Sequence, residues 1–494
     1  MSTRTARGGE RALAAGLHLI VLALLGLQIY VRRFPPTPTA IPEAGSPEAR
    51  WWGLWPITYA PPGLFAFGAA AILLLIAWLW FREFTIHPAD DQETQVRPTG
   101  QTARRLPLAL PAAAVLLLAA FFAFPIVHTR WGDAYIIART IAWPDEALRL
   151  THSWQAPLDV WLHSLAWLLV QPYVEWQDAM PLYRWLSPLA GAVYLAALLQ
   201  LCRDTRLAPP WLTFGLLASL GLIQLFFGYV ENYSFAAAGV LVYLWLGLEA
   251  ARGERPLWHA ATALALTNAT HPSTIVLAPS LLVLGWETVQ AAGNKPSRQI
   301  VYQVIRQIAA PMAAGLALTL IIMETGGHGV VALLTIDRPG GGDGRWLVPL
   351  WETETKWEHY TMFSWLHLRD FLNEQLLVAP VALPSLVLLF LARIARRTTG
   401  PAPRDSRSDY RFLVTAWLFY LLFVWLWNPD YGGQRDWDLF SLVAIPQTLL
   451  LVHLLPRSFA RPRYLAMAAL PLIAVQAMHT AAWIYQNTLP WQWP

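Results

Sequence analysis

What most limits the folds open to this chain is a succession of apolar runs, most of them roughly 17–22 residues long and nearly free of charge, each enough to cross a bilayer as a helix. Only 13% of the residues are charged and 56% are hydrophobic, whereas a soluble globular chain carries about 25% charge. The chain therefore reads as an all-α polytopic membrane protein rather than a soluble domain on an anchor. Its formal charge of +4 gives no reason to expect a nucleic-acid partner. The basic residues set topology instead. The single cysteine, Cys202, rules out an intrachain disulfide or a cysteine-based metal site.

Thirteen spans are expected, at about 12–30, 62–81, 106–126, 184–202, 209–228, 232–250, 257–271, 273–290, 305–323, 373–392, 411–428, 438–455 and 464–486, each boundary good to about 2–4 residues. The first run lacks a small-residue cleavage site after it and is expected to stay as a span. The run 158–171 is apolar but short, contains His163, and is expected to lie on the membrane surface. With the N-terminus in the cytoplasm, most of the 35 basic residues fall in inside segments, as the positive-inside rule requires. The C-terminus is then outside. Residues 1–105 form a two-span hairpin with a polar cytoplasmic loop, and 106–494 form the main transmembrane body. No internal repeat and no inverted pair of broken helices stands out.

This layout gathers the polar residues at the outer face. Asp133, in the stretch Trp131-Gly132-Asp133-Ala134-Tyr135 just past the third span, is either a general base or a helix N-cap. Asp159 follows Pro157 and is expected to cap the surface helix. Glu231, in GYVENY (228–233), is a substrate-binding candidate, although its tyrosine neighbours also fit an aromatic belt. His271, in NATHPS (268–273), is either a substrate contact or a turn residue before Pro272. The long loop 324–372 ends in a helical pattern on which His359, His367, Asp370, Asn373 and Glu374 share an arc of about 120°. That face either binds substrate or is merely solvated. A two-histidine metal site is the weaker reading of it. In NPDYGGQRDWD (428–438), Arg435 beside Asp436 and Asp438 at a helix start suits a phosphate. The alternative is that Asp436 caps the helix and pairs with Arg435.

The span followed by Gly132, Asp133, Ala134 and Tyr135, then Pro157 and Leu158 opening a juxtamembrane helix, resembles the GT-C superfamily of membrane glycosyltransferases. GYVENY, the run Phe363-Ser364…His367…Asp370…Asn373 and RDWDLFS look like signatures of a bacterial branch of it. The resemblance covers about 106–494 in architecture and about thirty residues in motif. It implies a GT-C-like fold with amphipathic juxtamembrane helices in the first and the long outer loops. It also implies transfer of a sugar from a polyprenyl-phosphate donor to a hydroxyl of a glycan, lipid or protein acceptor at the outer face of the plasma membrane. In that scheme Asp133 is the base, with inversion, and Arg435 holds the leaving phosphate, assisted by Arg338 or His367. Glu231, His271, His359, His367, Asp370, Asn373, Asp436 and Asp438 complete the binding candidates. A divalent cation is compatible with the scheme but not required by it. The two leading spans are extra to the family pattern, and the peptide N-glycosylation motifs are absent. The rival is a transporter or flippase for a lipid-linked or anionic substrate, which predicts ionisable groups at mid-membrane depth. A third reading, a scaffold for an envelope assembly, has no need of the polar face ending at Glu374.

Overall fold

An apolar run in hydrocarbon has no water to satisfy its backbone, so helix is the conformation it takes. The computed structural model describes residues 3–34, 51–85, 106–129, 132–293, 297–335, 361–395, 404–428, 433–434 and 436–490, and all regular structure among them is helical. In chain order the helices are α1 (Thr3–Val31), α2 (Pro56–Tyr59), α3 (Pro62–Thr85), α4 (Ala109–Ala123), α5 (Ala134–Ile141), α6 (Pro157–Val170), α7 (Met180–Arg203), α8 (Pro210–Ala218), α9 (Ser234–Ala251) and α10 (Leu257–Thr270). They continue with α11 (Ala278–Ala291), α12 (Arg298–Thr325), α13 (Val330–Thr335), α14 (Trp365–Val378), α15 (Ala382–Ala395), α16 (Arg404–Leu426), α17 (Trp437–Ser441), α18 (Ala444–Arg457) and α19 (Pro462–Asn487).

Among the described residues nine helical segments are long and apolar enough to cross a membrane, against the thirteen expected. The four others are too short, bent or broken, and in three of them the helix ends at a proline. The residue before a proline is pushed out of the helical region. Phe124 before Pro125 ends α4 after 15 residues. His271 before Pro272 is extended and ends α10 after 14. Ala379 before Pro380 ends α14, and the path bends there by 103° into α15. The expected span 373–392 is thus an angled helix pair. In the fourth, 209–228, α8 gives way to a wholly buried 3₁₀ stretch, Gly221–Phe226. A Cβ on Gly221 would lie 2.1 Å from the Leu377 carbonyl oxygen, so only glycine lets this segment close on α14.

The N-terminal hairpin shares one hydrophobic core with the rest of the chain, from Leu13 and Leu17 through Phe226 and Leu241 to Leu449 and Leu472. Polar bonds pin it to α19 at two depths. The buried Glu83 carboxylate accepts from Arg11 at 2.6 and 2.8 Å and from the Tyr464 hydroxyl at 2.5 Å. Deeper in, Trp80 donates to Nδ1 of His18 at 2.9 Å, which leaves the proton on Nε2 to bond the Met467 carbonyl at 2.8 Å. At the far end Trp52 and Gly53 dock on α14, the Trp52 indole donating to Asp370 at 2.6 Å and the Gly53 N–H to Asn373 at 3.0 Å.

Helix α6 packs beside α7, α10 and α12. The capping expectation for Asp159 is corrected here. Ala156 holds the N-cap position, and Asp159 is fully buried, with Oδ2 3.1 Å from Nδ1 of His163 one turn on. His163 in turn stacks on the Tyr183 ring at 4.0 Å. Capping needs an oxygen facing the first free N–H groups, and position 159 lies already inside the first turn, facing α7.

Candidate functional site

Three non-adjacent stretches meet at one end of the bundle: the turn before α5, the turn 228–233 before α9, and the start of α17. Each is brought there by a break in helix. Gly132 adopts φ +53 and Gly228 φ +78, conformations that favour glycine. A Cβ on Gly132 would lie 2.5 Å from Glu231 Oε1 and 3.0 Å from Asp438 Oδ2. The missing side chain is what lets the two carboxyls close on the backbone of the first loop.

Glu231 accepts the backbone N–H of Asp133 at 2.5 Å. Asp438 accepts the Tyr229 hydroxyl at 3.0 Å on Oδ2 and the Leu439 N–H at 2.9 Å on Oδ1. Both carboxyls are buried. The Tyr229 ring meets Trp437 edge-on at 5.2 Å, and Trp437 meets Trp483 at 4.6 Å, so an aromatic floor supports the acidic group. Burial pushes the Glu231 carboxyl well above its usual range. The charges of Asp438 and Asp133 add to that, against the hydrogen bonds from the Asp133 and Asn232 backbones.

Asp133 occupies the N-cap position of α5 but makes no side-chain cap bond. Asp436 stands likewise at the N-cap of α17 without one. Neither carboxylate is engaged in the bond that the capping alternative requires. Around α5 a small apolar cluster of Ile137, Ile141, Trp167, Leu182 and Tyr183 anchors the first loop.

Other sequence candidates surround this group. His271 is buried, with its ring 4.5 Å from that of Tyr233, two residues from Glu231. Its Nδ1 accepts the Ser273 N–H at 3.3 Å, and its Nε2 has no hydrogen-bond partner. His367, Asp370 and Asn373 are carried by α14. His367 Nδ1 accepts the Phe363 N–H at 2.9 Å, holding Phe363 at φ +64, and its ring stacks on Trp425 at 4.3 Å. Asp370 bridges Trp52 and the Gly433 N–H, the latter at 3.2 Å. The Asn373 Nδ2 donates to the Arg369 carbonyl at 2.9 Å, while its Oδ1 receives Gly53. His359, Arg435 and Arg338 lie outside the described residues. Among the described residues no three His, Cys, Asp or Glu side chains are grouped so as to hold a metal ion, so they do not supply a donor set for the divalent cation.

Three residues escaped the sequence reading as parts of this end of the molecule: Tyr229, Trp52 and Gly53. Tyr229 was readable only as a belt residue, and Trp52 sits in a segment remote in sequence.

No family model and no curated protein matches the sequence. Among solved structures the chain is similar to the crystal structure of the oligosaccharyltransferase of Archaeoglobus fulgidus, tethered through a disulfide to an acceptor peptide containing the NVT sequon. The two share 14% identity with a TM-score of 0.42, over 77% of this chain and 55% of the other, so this chain spans about half the length of the protein it matches.

Proposed function

We propose that this chain is a membrane glycosyltransferase that moves a sugar from a polyprenyl-phosphate donor to an acceptor hydroxyl, with inversion and with Asp133 as general base. The observation that carries the reading is the placement of Asp133. It stands at a helix start, its backbone tied to the buried Glu231 and its neighbour Gly132 pressed between Glu231 and Asp438. In the reaction the acceptor oxygen attacks the anomeric carbon, its proton passes to Asp133, and the bond from that carbon to the phosphate oxygen breaks. The leaving phosphate needs cationic hydrogen-bond donors rather than a proton, and Arg435 is the sequence's candidate for that work.

In this reading the end bearing Asp133 faces the outside of the plasma membrane, and the Arg-rich end with the N-terminus faces the cytoplasm. The polyprenyl chain lies against lipid-facing helices. The acceptor is a glycan, lipid or protein hydroxyl.

The test uses purified protein and a panel of polyprenyl-phosphate sugars, following release of polyprenyl phosphate. Asp133→Asn is expected to slow release by about 10²- to 10⁴-fold, the usual worth of a positioned base. Equal release by both proteins would remove Asp133 from the role. Tight donor binding without release, with every acceptor class supplied, would favour the transporter instead.

A further inference from the structure

We infer that Arg184, in the first turns of α7, binds the phosphate of the polyprenyl lipid, with the lipid chain running down the strip where α7 meets α4. The inference deepens the glycosyl-transfer reading and rests on it. It names a cation for the leaving phosphate besides Arg435.

A guanidinium carries five N–H donors and keeps its charge in any protein setting. Among the described residues Arg184 uses one of them, Nη2 to the Ile126 carbonyl, at a long 3.4 Å. Its Nε is buried without a hydrogen-bond partner. Other arginines are met by carboxylates, Arg11 by Glu83, Arg252 by Asp409 and Arg461 by Glu10. Arg184 forms no such pair among the described residues. A half-buried cation with its donors unspent calls for an anion.

An arginine that merely snorkels from a membrane keeps its head free in water. Here the stem is packed. A Cβ on Gly228 would lie 3.1 Å from both Cα and Cγ of Arg184, so the stem lies flat on the turn 228–233. That turn is itself fixed. The Ile126 N–H donates to the Phe227 carbonyl at 2.8 Å, and the Ser187 hydroxyl to the Tyr229 carbonyl at 3.1 Å. Three residues after Gly228, Glu231 receives the Asp133 N–H. The guanidinium is thus held between the end of α4 and the turn that carries the acidic group.

The surroundings call for an anion with an apolar tail. Trp185, Leu189 and Val193, each four residues apart on α7, are exposed and form a strip of about 12 Å. The exposed Phe122 of α4 meets Trp185 at 5.7 Å. Phe124 and Val127, also exposed, flank Ile126. Free phosphate leaves this surface bare, whereas a lipid phosphate covers it. As the bond from the anomeric carbon to the phosphate oxygen breaks, its electron pair stays on that oxygen and the negative charge grows. A fixed guanidinium then gains more in the transition state than in the ground state. Bilayer phospholipids offer the same phosphate chemistry, but the packing of Arg184 on the turn of Glu231 favours the lipid that reacts there.

The experiment places the full chain in phosphatidylcholine nanodiscs and measures saturable binding of farnesyl phosphate over empty nanodiscs. Farnesol and phosphatidylglycerol serve as competitors. Farnesol should not displace the phosphate, and phosphatidylglycerol should need at least a tenfold excess. Arg184→Gln should weaken binding about tenfold or more, in line with loss of a hydrogen bond to a charged group. A diazirine analogue of farnesyl phosphate, photolysed on the wild type, needs no variant to fold, and its label is expected in 115–127 and 184–193. Unchanged affinity in Arg184→Gln, displacement by farnesol, displacement by an equal amount of phosphatidylglycerol, or label confined to other segments would overturn the assignment. Release of polyprenyl phosphate is followed in parallel. Release by Arg184→Gln at the wild-type rate sinks the phosphate site and leaves glycosyl transfer standing. Binding that depends on Arg184, with no release from any polyprenyl-phosphate sugar, keeps the site and sinks the transfer reading.

Discussion

At the scale of single residues, Glu231 and Asp438 are two buried carboxyls that both reach the space beside Gly132. Glu231 is buried, with the charges of Asp438 and Asp133 acting on it. Its folded pKa is raised above the unfolded value of about 4.3. The stability that its neutral form contributes is therefore fully present below that value and is lost as pH rises through the raised folded pKa. Glu231→Gln has no such proton to lose. The melting temperature of the variant, minus that of the wild type, is expected to grow as pH is raised from 5 to 8. Thermal unfolding followed across that range decides it, and a difference that stays flat or shrinks with pH would contradict the raised pKa. The candidates Asp133, Glu231 and Asp438 were readable in sequence, because each polar residue interrupts an otherwise apolar pattern. Their mutual contact was not readable, since it depends on Gly132 lying where no side chain fits.

At the scale of elements, α14 is the piece whose behaviour the hydropathy pattern misstates. Apolarity from residue 373 onward reads as a span. The Ala379–Pro380 step ends the helix, and a 103° bend follows. Proline is a local signal, so this break was open to reading, as were those at Pro125 and Pro272. What no local signal gives is the docking of Trp52 and Gly53 on α14. A Cβ on Gly53 would lie 2.0 Å from the Asn373 carbonyl oxygen, and the Trp52 indole supplies a bond to an ionisable partner. Trp52→Phe keeps the ring and removes that bond, at a cost of about 1.5–3 kcal/mol. As a positioning change it should raise the KM for acceptor while leaving the KM for donor unaltered. Steady-state kinetics with each substrate varied in turn would reveal this, and equal shifts in both constants would refute it.

At the scale of the whole molecule, the end away from Asp133 is closed by ion pairs. Arg252, 2% exposed at its side chain, bonds both oxygens of Asp409 at 3.0 Å and also bonds Asp204. Arg206 joins Asp204 to Glu254. These bonds tie the connections after α7 and α9 to the start of α16. Removing one partner of a buried pair costs about 3–5 kcal/mol, because the remaining charges stay buried. Arg252→Ala should lower stability by that much in urea or thermal unfolding, with the KM for donor unchanged. A wild-type melting point would show that the pairs are solvated and weak. Orientation is tested in a Cys202→Ala background, with cysteines placed at Gln171 and Arg203, the latter at the end of α7. An impermeant thiol reagent added to intact cells should label position 171 and spare 203. The reverse pattern would invert the proposed sidedness.

The sequence by itself determined that this chain is helical and membrane-embedded, where its polar loops lie, and which acidic and histidine residues they carry. Those properties follow from hydropathy and charge along the chain, which act locally. Only the tertiary structure decided that Glu231, Asp438 and Gly132 touch, and that Asp370 is a tie to Trp52. Such contacts join residues far apart in sequence. They are selected by the close fit of whole helices, which no window of the sequence contains.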